Sequence, residues 1–212
     1  MKMSKRLFDL AAAAGGLLLL APLFALVALL IKLDDGGPVF FRQERIGYRG
    51  RPFRIWKFRT MVPGAEEIGG QLTPAGDRRI TRIGRFLRRT KIDELPQLIN
   101  VFWGEMSMVG PRPEVARYVA LYSGAQRRVL ELVPGITDPA SVKYRRESEL
   151  LARSADPEKE YREAIMPDKI ALNLEYAARA GLLGDISVIL GTLFSLGRPG
   201  WEKGSDNRSA RL

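Results

Sequence analysis

Residues 88–113 read RRTKIDELPQLINVFWGEMSMVGPRP. Leu95, Leu98, Ile99 and Phe102 recur at the spacing of one helical face and Gly104 supplies a stop, so the stretch predicts a helix that starts near Asp93 and ends at Gly104. Pro96 is compatible, because proline is tolerated in a helix's first turn, where its missing N–H would have had no partner. Asp93 and Glu94 then lie at the positive end of the helix, where free N–H groups and aligned peptide dipoles favour negative charge and attract phosphate. The spacing therefore predicts an ionised Asp93, and a carboxylate so held can attack phosphorus, as in the aspartyl-phosphate ATPases. The same residue types at the same place also serve as a simple N-cap and first-turn acid.

Composition narrows the chemistry. The chain has 212 residues, enough for one domain with a core, and shows no shift in composition that would divide it. It contains no cysteine and no histidine, which excludes disulfides, Cys/His zinc sites and every nucleophile activated by histidine. An enzyme of this composition must draw acid, base and nucleophile mainly from carboxylates, lysine or tyrosine, and any metal must be a hard, oxygen-bound ion such as magnesium. The formal charge of +10 points to an anionic partner: nucleic acid, acidic lipid or a phosphorylated substrate.

The N-terminus bears on that choice. Leu10 to Ile31 is a run of 22 residues without a charge, long enough to cross a bilayer core of ~30 Å. Pro22 stands at its middle, and basic residues flank both sides: Lys2, Lys5 and Arg6 before, then Lys32, Arg42, Arg45, Arg49 and Arg51 after. The positive-inside rule enriches only one flank of a span. A re-entrant helix that breaks at Ala21–Pro22 and returns to the same face meets both observations, with a straight span and a buried soluble helix as the other arrangements.

Downstream, PVFFRQERIG and RPFRIWKFRTM alternate apolar and basic residues around GYRGR, which predicts a hairpin over about 39–61. Lys57 or Arg59 on its second arm could reach a phosphate, although alternating charge is also the mark of a solvated face. Residues 62–77 are polar and glycine-rich and read as a loop, a candidate lid. Residues 78–90 form a basic amphipathic helix with Ile80, Ile83 and Leu87 on one stripe and Arg82, Arg85 and Arg89 on another, suited to a lipid headgroup layer. It delivers Arg88 to the Asp93–Glu94 turn. Gly110, Pro111 and Pro113 hold Arg112 in a stiff segment suited to forked phosphate contact. Residues 114–132 have helical composition, residues 149–163 are highly charged and suggest no chemistry, and residues 186–196 are too short to span and read as a core or interfacial helix.

Taken together, KRLFD at 5–9, the hydrophobic run broken near Pro22, KFRTM at 57–61, the stretch 91–113 and PGIT at 134–137 resemble the bacterial sugar transferase family, the monotopic phosphoglycosyl transferases. The resemblance runs from about residue 5 to residue 197, and the chain looks like the minimal form that begins directly at the catalytic unit. It implies an α/β, mainly helical fold: a small catalytic domain with a short β-hairpin, an N-terminal re-entrant membrane helix and interfacial amphipathic helices. The expected division is an anchor at 1–33, a catalytic domain at 34–199 and a polar tail at 200–212, with anchor and catalytic part forming one unit.

The reaction implied is transfer of a sugar-1-phosphate from a UDP-sugar to undecaprenyl phosphate, releasing UMP, through a phosphosugar bound covalently to the aspartate matching Asp93. Glu94, together with Asp93, is implied to hold Mg2+, and Arg88, Arg112 and Arg145, with Lys57 and Arg59 more weakly, are candidates for phosphate contact. The implied setting is the cytoplasmic face of the bacterial inner membrane, with the bilayer as a partner, no nucleic acid, and a homodimer left open. Two departures stand out: Ala21 replaces the hydroxyl residue sometimes paired with the breaking proline, and DPASVKYRRE after PGIT differs from the pattern of many relatives, so the sugar is not named. A membrane-tethered binder of anionic lipid or nucleic acid is the non-catalytic alternative. Within catalysis, Asp93 as a base or metal ligand in a direct transfer is the other.

Overall fold

The computed structural model describes residues 2–68, 73 and 76–197. The expected tail at 200–212 and the centre of the expected loop at 62–77 lie outside the described residues. Helix α1 (Met3–Asp35) leads into strands β1 (Phe40–Ile46) and β2 (Pro52–Phe58), an antiparallel hairpin pairing Phe40 with Phe58 and Ile46 with Pro52. A short helix α2 (Ala65–Ile68) precedes α3 (Arg82–Thr90), a 3-10 segment (Ile92–Gln97), α4 (Leu98–Trp103) and strand β3 (Ser107–Val109). Then come α5 (Ala116–Val119), a second 3-10 segment (Gln126–Glu131), strand β4 (Gly135–Thr137), α6 (Pro139–Lys143), α7 (Glu147–Ala152) and α8 (Pro157–Glu160). A π-helical turn (Tyr161–Ile165) runs into α9 (Met166–Arg179), and α10 (Leu182–Gly197) ends the described chain. This is the expected mainly helical α/β architecture with a small hairpin.

Helix α1 belongs to the domain along its whole length. Its first turns bring Ala13 against Ile55, Leu98, Val101 and Met106, and its later turns bring Val27 and Ile31 against Phe58 and Leu87. Polar bonds pin both ends. Arg6 donates to the carbonyls of Val101 and Phe102 (2.6 and 2.8 Å), Lys5 donates to the Val109 carbonyl (3.1 Å) and pairs with Asp185, and buried Asp9 accepts from the Met108 N–H (3.0 Å). At the other end Asp35 pairs with Arg59, and Asp34 accepts from the Ile83 N–H (3.1 Å). The rest of α1 presents Leu18, Leu19, Leu26, Leu29 and Leu33 outward, a surface compatible with membrane association.

The break expected at Ala21–Pro22 is not formed: α1 is one continuous helix with Pro22 inside it, where the proline's missing N–H costs only the bond to the Leu18 carbonyl. The amphipathic helix begins at Arg82, not Arg78, capped by the Thr81 side chain, which accepts from the Gly84 N–H (2.9 Å). Leu87 on its inner stripe is buried, while Arg82, Arg85, Phe86 and Arg89 are exposed. Helix α10 likewise shows Leu183, Leu190, Leu193 and Phe194 on its outside, so the segment at 186–196, read as a core or interfacial helix, keeps an exposed apolar side.

Residues 114–132 contain only one turn of α-helix and a 3-10 segment, yet they build the main core: Val115, Tyr118, Val119, Tyr122 and Val129 pack on Leu151, Tyr161, Ile165, Met166 and Ile170. One pairing had no sequence signal. Strands β3 and β4 run parallel, Ser107 beside Gly135 and Val109 beside Thr137. Their junction demands glycine twice, since a Cβ on Gly110 would lie 2.2 Å from the Val133 oxygen and one on Gly135 would lie 2.1 Å from the Gly110 nitrogen.

Candidate active site

The Asp93–Glu94 turn is positioned from three sides. Lys91, with φ at +59°, reverses the chain between α3 and the 3-10 segment. Fully buried Asn100 on α4 then clamps the free edge of β2: its Oδ1 accepts from the Trp56 N–H (2.9 Å), and its Nδ2 donates to the Arg54 carbonyl (2.9 Å) and to Glu105 (2.7 Å). That clamp sets β2, and hence Lys57, against the acidic turn. From the far side, Arg112 sits between two prolines, and its N–H donates to Asp138 (2.9 Å), the cap of α6.

The two carboxylates have different surroundings. Glu94 is held by a forked pair from Arg112, with one contact of 2.8 Å, and by Lys57 Nζ at 3.0 Å. Arg112 and Lys57 offset the burial of this carboxyl and hold it well below the usual carboxylate range; Glu94 in turn raises Arg112, while burial lowers Lys57. Asp93, 6% exposed, makes no ion pair, and its buried Oδ1 has no hydrogen-bond partner among the described residues. Burial, then the negative charge of Glu94, push its carboxyl up to about 6 against the pull of Lys57, Lys91 and Arg88. A carboxyl that ionises near 6 is still mostly charged at neutral pH, but burial, not the helix N-terminus, sets where it titrates. The segment is six residues of 3-10 helix followed by six of α-helix, and desolvation outweighs its dipole.

Both acids line a cavity of about 760 Å³, together with Lys57, Arg88, Lys91, Arg112 and Arg145. Its wall also includes apolar Leu98, Met108, Ile136, Ile189 and Leu193, and, from the charged stretch that suggested no chemistry, Tyr161. Tyr161 donates to Glu114 (2.8 Å) and is raised by burial. Six of the seven expected site residues thus meet around one space. Arg59 does not. It points to the end of α1, binding Asp35 and the carbonyls of Pro38 and Met61, and is buried there. Lys91 was missed, although its place beside the acid pair was a signal. Thr60, which receives a hydrogen bond from Arg88, had no signal in an alternating run.

No group of three or more acidic ligands occurs among the described residues. Two adjacent carboxylates, one with an unpartnered oxygen, fit a magnesium ion only when phosphate oxygens and water complete its shell.

The domain thus presents a cation-rimmed cavity around a buried acid pair and is seated on an apolar helix. The chain belongs to the bacterial sugar transferase family, whose family model covers residues 1–198. Among its relatives, undecaprenyl-phosphate glucose phosphotransferase of Komagataeibacter xylinus is 41% identical over 198 residues, 90% of this chain and 35% of the relative. The UDP-glucose:undecaprenyl-phosphate glucose-1-phosphate transferases of Escherichia coli K12 and Caulobacter vibrioides are 38% and 40% identical, each over 91% of this chain and over 40% and 69% of their own lengths. The chain therefore spans about a third to two fifths of the first two relatives.

Proposed function

We propose that this protein transfers a sugar-1-phosphate from a UDP-sugar to undecaprenyl phosphate, with Asp93 as the nucleophile. The observation that carries the reading is the division of labour in the acid pair. Glu94 is held by Arg112 and Lys57, whereas Asp93 borders the same cavity without a hydrogen-bond or ion-pair partner among the described residues. The relatives' named activities support the substrate classes.

In the first step an Asp93 carboxylate oxygen bonds to the β-phosphorus of the donor, and the bond from that phosphorus to the oxygen bridging the two phosphates breaks. UMP leaves with that oxygen. In the second step a phosphate oxygen of undecaprenyl phosphate attacks the same phosphorus, the acyl–phosphate bond breaks, and Asp93 returns as carboxylate. Arg88, Arg112 and Arg145 face the cavity to receive phosphate charge, while Lys57 fixes Glu94. Asp93 and Glu94 are the residues that would hold magnesium, which when bound would supply neutralisation of the diphosphate.

The location proposed is the cytoplasmic face of the inner membrane, with α1 entering and leaving by one side. It is supported by the bonds that tie both ends of α1 to the same domain and by the exposed apolar residues of α1, α3, α4 and α10. The exposed arginines of α3 add ~1 kcal/mol each near anionic lipid.

Incubation with a UDP-sugar alone tests the scheme: covalent transfer releases stoichiometric UMP and labels Asp93. A direct transfer with Asp93 as base, which a carboxyl titrating near 6 also suits, releases none until the lipid phosphate is added.

A further inference from the structure

We infer that Thr60 is a positioning residue that orients the guanidinium of Arg88 toward the diphosphate of the donor; the inference rests on the reading of Arg88 as a phosphate contact. Thr60 is 6% exposed and stands in the cavity wall. Its Oγ1 accepts from Arg88 Nε at 2.8 Å. The two terminal nitrogens of Arg88 have no hydrogen-bond or ion-pair partner among the described residues, so with Nε held by Thr60 they remain for end-on forked recognition.

The backbone arranges this. The Thr60 carbonyl accepts from the Thr81 N–H (3.1 Å) at the cap of α3. It also lies where a side chain on Gly84 would stand, a Cβ there falling 2.1 Å from the Thr60 oxygen. Gly84 and Arg88 are four residues apart and so share a face of α3. The bare backbone at Gly84 lets the helix rest on Thr60, and one turn later Arg88 meets the hydroxyl of that same residue. A free arginine side chain carries about 2 kcal/mol of rotamer entropy; anchored at Nε by a residue that is itself buried, its fork is ordered before the ligand arrives.

The test measures UDP binding with Mg2+ by calorimetry on the full chain in lipid nanodiscs. Thr60→Val and Thr60→Ala, which remove the hydroxyl, are expected to weaken UDP binding about tenfold, as for loss of a hydrogen bond to a charged group. Thr60→Ser, which keeps the hydroxyl, stays within about threefold of wild type. In an Arg88→Gln background Thr60→Val has no further effect, because the hydroxyl acts only through that arginine. If Thr60→Val fails to fold, the Ala and Ser variants carry the comparison. Unchanged binding in the hydroxyl-less variants, losses that add in the double variant, or loss in Thr60→Ser equal to that in Thr60→Ala overturns the inference. The transferase reading fails separately, when wild-type protein binds UDP but releases no UMP from any UDP-sugar.

Discussion

Asp93→Asn should abolish turnover and stabilise the fold, two effects that a structural aspartate would not combine. Keeping Asp93 ionised at neutral pH, with its carboxyl moved from the usual 3.8 to about 6, costs about 3 kcal/mol at ~1.4 kcal/mol per tenfold change. The amide is neutral and nearly isosteric, but its buried polar atoms recover only part of this, leaving about 1–3 kcal/mol or several degrees in Tm for a chain of this size. The sign follows from linkage. A carboxyl raised on folding adds stability that is complete below pH 3.8 and is lost as pH rises through about 6. The Tm advantage of the variant should therefore be small at pH 4 and greatest above pH 7. Scanning fluorimetry at pH 4.5, 5.5 and 7.5, beside UMP release, which should fall at least ~10³-fold, checks both halves. A variant that is less stable at pH 7.5, or whose advantage does not change with pH, refutes the account of a desolvated, partnerless carboxylate.

The remaining expectations are simpler. UMP release from donor alone should rise between pH 5 and 7 with a midpoint near 6, as Asp93 ionises, and Glu94→Gln should move that midpoint to lower pH by removing a neighbouring negative charge; a midpoint indifferent to Glu94→Gln argues against the coupling. Arg59→Leu should cost about 2–4 kcal/mol of stability, below the full figure for a buried pair because Asp35 is partly solvated, while the rate per folded molecule stays within about twofold; a selective loss of rate would return Arg59 to the site. Cysteines introduced at Ser4 and at Glu105 should react with an impermeant reagent from the same side of the membrane, since Lys5 and Arg6 are bonded to the 101–109 segment; labelling from opposite sides contradicts that packing.

What could be seen in the sequence was local. The hairpin follows from alternation and glycines, and α1 from a long uncharged run, because each signal lies inside its own element. The failures occur where one element's geometry depends on another. Lys57 and Arg59, two apart, would share a strand face, but β2 ends at Phe58, so Arg59 leaves the pleat and turns to Asp35 while Lys57 stays on the acids. The single helix expected from Asp93 to Gly104 is instead a 3-10 segment at Ile92–Gln97 followed by an α-helix at Leu98–Trp103, and about 120° per residue in the first against about 100° in the second takes Leu95 off the face expected of one continuous α-helix. The parallel pair β3–β4, three residues each, is too short to show a period and is fixed by two glycines 25 residues apart.

The acid pair shows the same limit. Both carboxylates and four of the surrounding cations could be named from the sequence, yet which acid receives the cations depends on the proline-held Arg112 and the strand-held Lys57 converging on Glu94. That convergence leaves Asp93 buried without a direct counter-charge, and its raised ionisation is the consequence. The same arrangement that makes Asp93 costly to keep charged leaves one of its oxygens unpartnered beside a cation-lined cavity, so the strain on the fold and the proposed chemistry have a single physical origin.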